Sequence, residues 1–259
     1  MSEINIKHDL KDVTFLLLVR IETIERLENI LTVTEFLSSN FDTNIVVWEV
    51  ASYNNKVLMS LLNKKVSYTF LEDDDNILYR TKYLNQMMKA SETPYVAVWD
   101  VDVLAPVKQI LETVSLLRQD IASFVYPYTG DFLDTGFIIR KLYLKKRLIE
   151  FLEENSNKMI KLYPPNPLGG AFFCKLDAYI DLGLENDEFY GWGIEDGERF
   201  HRWRTSKYKL ERVRGALYHL SHPRSFNSRY HHCDQRFIKM RLLDASIRRG
   251  SLQNINNKK

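Results

Sequence analysis

Apolar runs alternate with amphipathic stretches through the first half of the chain. Continuous apolar runs predict four buried strands, at 13–19, 44–50, 66–71 and 95–99. Apolar positions that recur every three or four residues predict helices over 24–37 and 78–90. Strands that alternate with helices predict an α/β fold with a mostly parallel central sheet, flanked by helices on both faces.

The second half of the chain has a more mixed pattern. We expect two helices at 107–118 and 145–155, and four strands at 121–126, 136–139, 171–174 and 210–220. The residues at 236–249 form a basic amphipathic pattern, which predicts a last helix before a polar tail. The pattern therefore predicts one large domain over residues 1–235, followed by a basic C-terminal helix and tail over 236–259.

The composition narrows the classes of function. A net charge of +2 over 259 residues is too small to indicate nucleic-acid binding. Cys174 and Cys233 give neither a disulfide framework nor the spacing of a zinc site. The N-terminal residues lack the pattern of a signal peptide, and no apolar stretch approaches the ~20 residues of a membrane span. We therefore expect a cytoplasmic protein, with contact at the inner face of the membrane left open.

Two aspartates follow the strand predicted at 95–99. Asp100 and Asp102 are spaced i, i+2, so an extended backbone presents both carboxylates on one face. Open α/β sheets bind ligands at the C-terminal ends of their strands. Carboxylate oxygens at such a place suit a hard divalent cation, which commonly shares its coordination with phosphates. The pattern is a common one, so its meaning depends on the rest of the chain.

A second segment surrounds Trp192 with glycines and follows it with acids. Gly191 and Gly193 free the backbone to turn, and the face of the indole suits the apolar face of a sugar ring. The side chains of Glu195 and Asp196 would point to opposite faces of a strand, and on a helix they would lie about 100° apart. The two acids should therefore have different roles. The alternative interpretation is a helix N-terminus, where the helix dipole favours acids.

Two histidines, His219 and His222, lie three residues apart late in the chain. On a continuous strand they would face opposite ways, so both reach one ion only if the chain turns between them. Pro223 makes a nearby turn plausible. Imidazole and carboxylate ligands together suit Mn²⁺ or a similar ion better than Ca²⁺. The sequence leaves open whether both histidines bind the metal.

These motifs resemble those of the β-1,4-galactosyltransferase group of GT-A glycosyltransferases, and they occur in the same order along the chain. Related patterns occur in chondroitin-polymerase-type and polypeptide N-acetylgalactosaminyltransferase-like enzymes. The similarity spans residues 12–225. The D-V-D at 100–102 and the G-W-G-I-E-D at 191–196 match the group's motifs, and the second motif is the more specific. The Gly-Gly pair at 169–170 matches a stretch near the donor sugar, and His222 lies where the group has its metal-binding histidine.

The resemblance implies roles for individual residues. Asp102 and His222 should bind Mn²⁺ or Mg²⁺, with His219 as a possible further ligand. Asp196 should act as the general base, and Glu195 should hold the acceptor. The other residues that we expect to contact substrates are Arg20, Arg80, Asp100, Gly169, Gly170, Tyr190, Trp192 and Gly193.

The resemblance also implies a reaction. We expect an inverting transfer of a hexose or N-acetylhexosamine, with galactose and N-acetylgalactosamine favoured, from a UDP-sugar to a saccharide or lipid-linked saccharide. Bacterial surface polysaccharide synthesis is the expected setting. The donor-binding half should span 12–105 and the acceptor-binding half 106–235. The alternatives are a nucleotide-sugar hydrolase or pyrophosphorylase, and a sugar-binding module without activity.

Two departures from the group's pattern affect this expectation. Pro167-Leu168 replaces the Tyr-Phe pair that precedes Gly-Gly in the vertebrate galactosyltransferases. That tyrosine restricts the 2-position of the donor sugar, so its absence leaves N-acetylhexosamine donors possible. Gly197 replaces the third acid of the group's E-D-D. The basic helix over 236–249 adds a further hypothesis, that it meets an anionic membrane surface where a lipid-linked acceptor would lie. The alternative, which we favour, is a helix packed on the domain with its charges in solvent.

Overall fold

The computed structural model of the protein describes residues 7–164 and 166–256. Its strands are β1 (His8–Val19), β2 (Phe41–Ala51), β3 (Val66–Glu72), β4 (Tyr95–Trp99), β5 (Val103–Leu104), β6 (Phe124–Tyr126), β7 (Phe132–Asp134), β8 (Ile160–Lys161), β9 (Ala171–Lys175), β10 (Leu210–Arg212) and β11 (Leu217–His219). Its helices are α1 (Ile24–Asn40), α2 (Val57–Leu61), α3 (Arg80–Lys89), α4 (Val107–Arg118), α5 (Gly136–Lys146), α6 (Ile149–Glu154), α7 (Leu176–Asp181), α8 (Glu195–Thr205) and α9 (Cys233–Asn256). The end of the expected polar tail, residues 257–259, lies outside the described residues.

The central sheet has the strand order β10-β6-β9-β4-β1-β2-β3. Its pairs are parallel except where β9 runs antiparallel between β4 and β6. Strands such as β1 are buried along their apolar runs, as expected for a sheet covered on both faces. Phe15, Trp99 and Phe173 make edge-to-face contacts at 5.6–5.9 Å in the middle of this core. The predicted α/β class is therefore confirmed.

A second, smaller sheet has the order β5-β11-β7-β8. In it β11 pairs antiparallel with β5 and parallel with β7, so His219 lies opposite both Val103 and Asp134. β5 follows directly on the Asp100–Asp102 segment at the end of β4. The small sheet thereby brings the segment with His219 and His222 next to the aspartates.

The strand predicted at 136–139 is wrong, because these residues begin helix α5. A run of four apolar residues is compatible with either structure. The side chains of Phe137 and Ile138 are exposed, whereas Arg140 and Tyr143 face the protein. The buried Arg140 donates hydrogen bonds to Asn29 and Glu28 of α1, at 2.9 and 2.7 Å. The inward face of this helix therefore contains a charged residue, which the apolar pattern does not reveal.

Two other element predictions need correction. The helix predicted at 145–155 is two helices, because Arg147 adopts a left-handed conformation (φ 56°) between α5 and α6. The strand predicted at 210–220 is also divided, since β10 and β11 belong to different sheets. Between them Gly215 has φ 141°, and a Cβ there would lie 2.1 Å from Oε1 of Gln109. The chain changes sheets at a place that accommodates no side chain.

Candidate active site

A cavity of about 500 Å³ opens at the C-terminal ends of β1 and β4. Twelve of the thirteen predicted site residues line it: Arg20, Arg80, Asp100, Asp102, Gly169, Gly170, Trp192, Gly193, Glu195, Asp196, His219 and His222. The thirteenth, Tyr190, is not among the lining residues. Its hydroxyl group donates to Asp75 at 2.5 Å, and its ring packs edge-on against Tyr79. The structure thus brings together residues that lie more than 200 positions apart in the sequence.

Asp102, His219 and His222 form a cluster of three potential metal ligands. One ligand atom from each lies within 4.8 Å of the others. Nε2 of His222 lies 3.0 Å from Oδ2 of Asp102, and Nε2 of His219 lies 3.9 Å from Oδ1. The chain turns after β11, where the N–H of Leu220 donates to the Asp102 carbonyl at 2.7 Å. This turn lets both histidines face the same carboxylate.

The second ring nitrogen of each histidine, Nδ1, lies within hydrogen-bond distance of a protein oxygen atom. Nδ1 of His222 lies 2.8 Å from the Pro223 carbonyl, which can only accept, so Nδ1 carries the hydrogen of this bond. Nδ1 of His219 lies 2.9 Å from the Asp134 carboxylate, which also binds the hydroxyl of Ser221. Such partners orient metal-binding histidines, and here they direct both Nε2 atoms toward the Asp102 carboxylate. The donor set and its orientation therefore fit a divalent cation such as Mn²⁺.

The charges around this cluster favour an ionised carboxylate. Burial acts to raise the pKa of Asp102, but the hydrogen bond from His222 and the charge of His219 outweigh it and hold the pKa well below its usual range. Burial acts to lower the pKa of His219, whereas Asp134 and Asp102 raise it above its usual value. Asp102 is thus ready to bind a cation at neutral pH.

Asp100 lines the same cavity as Asp102 but pairs with an arginine. Nη2 of Arg80, at the start of α3, lies 2.5 Å from Oδ1 of Asp100. Arg20 is buried at the end of β1, where it donates to the carbonyl groups of Val50 and Asp75 at 3.0 and 2.6 Å. Both arginines therefore line the cavity from fixed positions. Further arginine side chains reach it, so the lining carries the cations Arg20, Arg26, Arg80, Arg199 and Arg224.

Glu195 and Asp196 are the first two residues of α8. Both interpretations of this acidic pair hold in part, since the acids occupy a helix N-terminus and also line the cavity. Glu195 is buried, and its Oε2 has no hydrogen-bond partner among the described residues. Burial, followed by the charge of Asp196, raises the pKa of Glu195 to about 7. The two neighbouring acids therefore occupy different environments.

The carboxylate of Asp196 is held in place by Arg199, one turn further along α8. The guanidinium group of Arg199 is buried, donates to Asp196, and donates to Glu185 at 2.7 Å. Its plane lies over the ring of Phe172 at 4.3 Å. On the open side, a Cβ at position 169 would lie 2.7 Å from Oδ2 of Asp196, which explains why glycine is needed at Gly169.

Trp192 lies in a strained loop before α8. Gly191, Gly193 and Ile194 all have positive φ angles, of 73°, 101° and 75°. A Cβ at Gly193 would lie 2.6 Å from the hydroxyl oxygen of Tyr230, whose ring packs edge-on against Trp192 at 5.2 Å. A β-branched residue in the left-handed region, such as Ile194, is a marked exception that commonly occurs at functional sites.

Several residues of the site carry no sequence signal that we could interpret. Asp134 lies 85 positions from His219, and Lys239 lies 47 positions from Trp192, whose carbonyl it binds. Tyr230 and Arg26 also line the cavity without belonging to a motif. Arg199 is the exception, because its i, i+3 spacing from Asp196 predicts contact once a helix is assumed.

Part of the sequence matches a known family. A sequence model described as the N-terminal domain of galactosyltransferase matches residues 151–225. The matched segment contains the Gly-Gly pair at 169–170, the acids at 195–196 and both histidines, but it does not reach Asp102. A search of curated proteins gives no significant match to this chain.

Solved structures resemble most of the fold. The catalytic domain of Drosophila β1,4-galactosyltransferase 7 in complex with xylobiose is 16% identical, with a TM-score of 0.53 over 90% of this chain and 79% of that one. A mutant of that enzyme in complex with manganese, UDP-Gal and xylobiose is 15% identical, with a TM-score of 0.50 over the same shares. A mannosyltransferase from Pyrobaculum calidifontis in complex with GDP-Man and Mn²⁺ is 14% identical, with a TM-score of 0.54 over 83% and 58%. The protein has the GT-A fold.

The similarity to these solved structures confirms the GT-A fold that we expected from the motifs. The family match and the structures also confirm the resemblance to galactosyltransferases, and they support classing the protein as a glycosyltransferase. No helix within the described residues is both long and apolar enough to cross a membrane. The roles of individual site residues stay predictions.

Proposed function

We propose that the protein is a metal-dependent, inverting glycosyltransferase that transfers a sugar from a nucleotide diphosphate, UDP, to a saccharide hydroxyl group. The observation that supports this proposal most directly is that one cavity contains both halves of such a site. Asp102 and the two histidines lie at one end, and Trp192 and Asp196 belong to the other motif lining the same space. A binding protein would need only one of these two groups.

The donor diphosphate would lie beside Asp102. A divalent cation bound by Asp102, His219 and His222 would neutralise the negative charge that develops on the departing UDP. Arg26 and Arg80 line the same space and can bind phosphate oxygens. Asp100, paired with Arg80, faces the donor from the end of β4.

A second cavity offers room for the nucleoside. Its volume is about 490 Å³, and it shares Arg20 and Glu22 with the first cavity. Its lining includes the ring of Tyr53 and the carboxylates of Asp73 and Asp75. An aromatic ring can stack on a base, and carboxylates can accept hydrogen bonds from a ribose or from a base N–H. A nucleoside in this cavity would have its diphosphate directed toward Asp102.

The acceptor would lie on Trp192, with its hydroxyl group at Asp196. Asp196 takes the hydroxyl proton while the acceptor oxygen attacks the anomeric carbon. The bond from that carbon to the UDP oxygen breaks in the same displacement, which inverts the anomeric centre. Arg199 fixes the carboxylate of Asp196, and Glu195 is positioned to bind the acceptor.

Galactose and N-acetylgalactosamine are the proposed donor sugars. The complex of the Drosophila enzyme with UDP-Gal supports the first, and the absence of the group's tyrosine before Gly169 leaves room for the second. We further propose a saccharide acceptor of a bacterial surface polysaccharide, either free or linked to a lipid. We propose a cytoplasmic location with it, and a lipid-linked acceptor would require peripheral contact with the membrane.

The proposal is tested by combining calorimetry with product analysis. Wild-type protein should bind UDP in the presence of Mn²⁺, and Asp102→Ala should lose this binding. Asp196→Asn should keep UDP binding and lose roughly 10²–10⁴-fold in turnover, the usual contribution of a general base. UDP-sugars should release UDP quickly only when a saccharide acceptor is present.

Other results would favour the alternatives. Free sugar released at the full rate without an acceptor would indicate a hydrolase, and release of a sugar phosphate would indicate a pyrophosphorylase. Saccharide binding without binding of UDP and Mn²⁺ would indicate a sugar-binding module. Wild-type turnover in Asp196→Asn would contradict the role of that residue.

A further inference from the structure

The C-terminal helix α9 places a buried lysine against the Trp192 loop, although this lysine does not itself line the cavity. The side chain of Lys239 is only 5% exposed, although its neighbours Phe237, Ile238 and Met240 are exposed. Its ammonium group donates to the carbonyl oxygen of Trp192 at 2.6 Å. A lysine is rarely buried unless its charge is paired, so a structure that buries one usually depends on it.

We propose that Lys239 is a positioning residue for sugar transfer, which fixes the Trp192 carbonyl and provides a positive charge near Glu195. The two side chains expected to contact the acceptor, Trp192 and Glu195, would thus both depend on one residue of the C-terminal helix. This inference rests on the proposed function.

The first argument is the conformation of the Trp192 loop. Its three left-handed residues, Gly191, Gly193 and Ile194, prevent a regular hydrogen-bond pattern. Within the described part of the chain, the Trp192 carbonyl accepts its hydrogen bond from Lys239 and from no backbone N–H. Strained backbone persists only where the surroundings fix it. Lys239 supplies that fixation from outside the loop.

The second argument is the charge of Glu195. The groups that face this carboxyl are Asp196 of α8, Arg80 of α3, Lys239 of α9 and the hydroxyl of Tyr230. Burial and Asp196 raise the pKa of Glu195, whereas Lys239 and Arg80 lower it. Removal of the Lys239 charge should therefore raise the pKa of Glu195 further. The ionised form, which accepts hydrogen bonds from sugar hydroxyl groups, would then be populated only at higher pH.

The third argument is that α9 is fixed to the domain around Lys239. The hydroxyl of Ser246 donates to Glu198 of α8 at 2.8 Å, and Arg249 donates to Glu188 at 2.8 Å. These contacts join α9 to the segments before and after the Trp192 loop. The position of Lys239 beside the loop is therefore fixed by a helix that is itself bound to the domain.

The test compares Lys239→Met with Lys239→Arg in the full-length protein. Lys239→Met removes the charge and the donor but keeps the length of the side chain. It should raise the acceptor KM about tenfold, as expected for loss of a charge-assisted hydrogen bond. The KM for the UDP-sugar and the Kd for UDP with Mn²⁺ should stay within about twofold of wild type. The acidic limb of the acceptor kcat/KM profile should move to higher pH.

Lys239→Arg keeps the charge and should restore the wild-type position of the acidic limb. Arg248→Gln is the matched control, because it removes an exposed cation from the same helix and should change none of these quantities. An unchanged acceptor KM and pH profile in Lys239→Met would overturn the inference. An equal loss for donor and acceptor, with no pH shift, would also overturn it, since it would indicate a merely structural role.

The experiments distinguish an error in the proposed function from an error in the role of Lys239. Wild-type protein that transfers no sugar would contradict that function, whatever the variants do. Saccharide binding, measured by calorimetry, then tests Lys239 by itself. Lys239→Met should weaken saccharide binding about tenfold while Arg248→Gln leaves it unchanged, and equal affinities would overturn the inference.

Discussion

His219 and His222 differ in how their orientation is fixed. The Pro223 carbonyl that holds His222 belongs to the next residue, whereas the Asp134 carboxylate that holds His219 comes from a neighbouring strand. A ligand held by a side chain can lose its support through one substitution, and a ligand held by backbone cannot. At the scale of residues, Asp134 is therefore the most informative position around the metal cluster.

Asp134→Ala should weaken Mn²⁺ binding about 10–100-fold, which is typical for loss of a residue that orients a metal ligand. His219 would then lose its fixed orientation and one of its two carboxylate neighbours, while Asp102 remains. Calorimetric titration with Mn²⁺ measures the change. Asp131→Ala is a suitable control, since Asp131 lies on the same segment and pairs with Lys161 at the surface. Equal affinities in the two variants would contradict a role for Asp134.

Glu195 should make the stability of the protein depend on pH. Its pKa is about 7 in the folded protein, against a usual value of 4.5. A raised pKa contributes stability that is complete below pH 4.5 and is lost as the pH rises through 7. The stability of Glu195→Gln relative to wild type should therefore be greater at pH 8 than at pH 5.5, by about 2 kcal/mol.

Denaturant unfolding at pH 5.5 and pH 8 measures this difference in free energy of unfolding. Glu150→Gln, at an exposed position on α6, should show no such dependence on pH. If Glu195→Gln has the same relative stability at both pH values, Glu195 is not a buried acid that ionises near neutral pH. The same variant should lose activity, because a stabilising change at a site commonly reduces function.

Distance along the chain decides which residues of the site could be predicted. Asp102, Trp192 and Asp196 belong to short motifs, so local spacing was enough to select them. Asp134 and Lys239 act on residues 85 and 47 positions away, and no local pattern carries that information. Tyr190 adjoins a motif without lining the first cavity, and its hydroxyl group binds Asp75, which lines the second.

At the scale of elements, the sequence predicts the strands of the central sheet better than the helices near its edge. A strand buried on both faces, such as β1 or β4, is apolar along its buried length, and these long apolar runs predict the strands of the central sheet. α5 buries an arginine and exposes Phe137 and Ile138, so its apolar positions do not mark its inner face. Polar contacts of Arg140 with α1 accompany that inner face, and they cannot be read from the residues of α5 alone.

The loop before α8 gives a prediction for an element as a whole. Gly193→Ala should destabilise the protein by ~1–3 kcal/mol, because alanine is strained at φ 101° and its Cβ would meet the hydroxyl of Tyr230. The acceptor KM should rise, since Trp192 would be displaced. Thermal unfolding and steady-state kinetics measure the two effects.

Gly197→Ala provides the comparison for that variant. Gly197 lies within α8, its φ is not positive, and its Cβ would meet no atom within 4 Å. Helix propensity then predicts a gain of about 1 kcal/mol. If both variants have the same stability, the strained loop does not require glycine at position 193.

At the scale of the whole molecule, two exposed helix faces combine apolar and basic residues. On α9 they are Phe237 and Ile238, which are 59% and 54% exposed, and on α5 they are Phe137 and Ile138, which are 61% and 77% exposed. Either face suits an anionic lipid surface. The basic pattern at 236–249 raises the hypothesis of membrane contact at α9.

Sedimentation with anionic vesicles tests that expectation. The double variant Phe237→Ser and Ile238→Ser should reduce the fraction of protein bound to vesicles. Each lost apolar side chain forgoes roughly 1.5–3 kcal/mol of favourable transfer free energy from water to lipid. The double variant Phe137→Ser and Ile138→Ser is the matched comparison. A loss confined to the α5 variant would assign the contact to that helix, and no binding by wild type would contradict membrane contact altogether.

Both sheets contain strands from both expected halves of the molecule, so the halves cannot be separated without breaking a sheet. β9 and β6 come from the half expected to bind the acceptor, yet they continue the sheet begun by β4 and β1. β5 ends at Leu104, close to the expected boundary between the halves, and pairs with β11 more than a hundred residues later. Cutting the chain at residue 105 would therefore leave two fragments with open sheet edges and incomplete ligand sets. The molecule is better suited to reassembly from complementary fragments than to the exchange of one half for a homologous half.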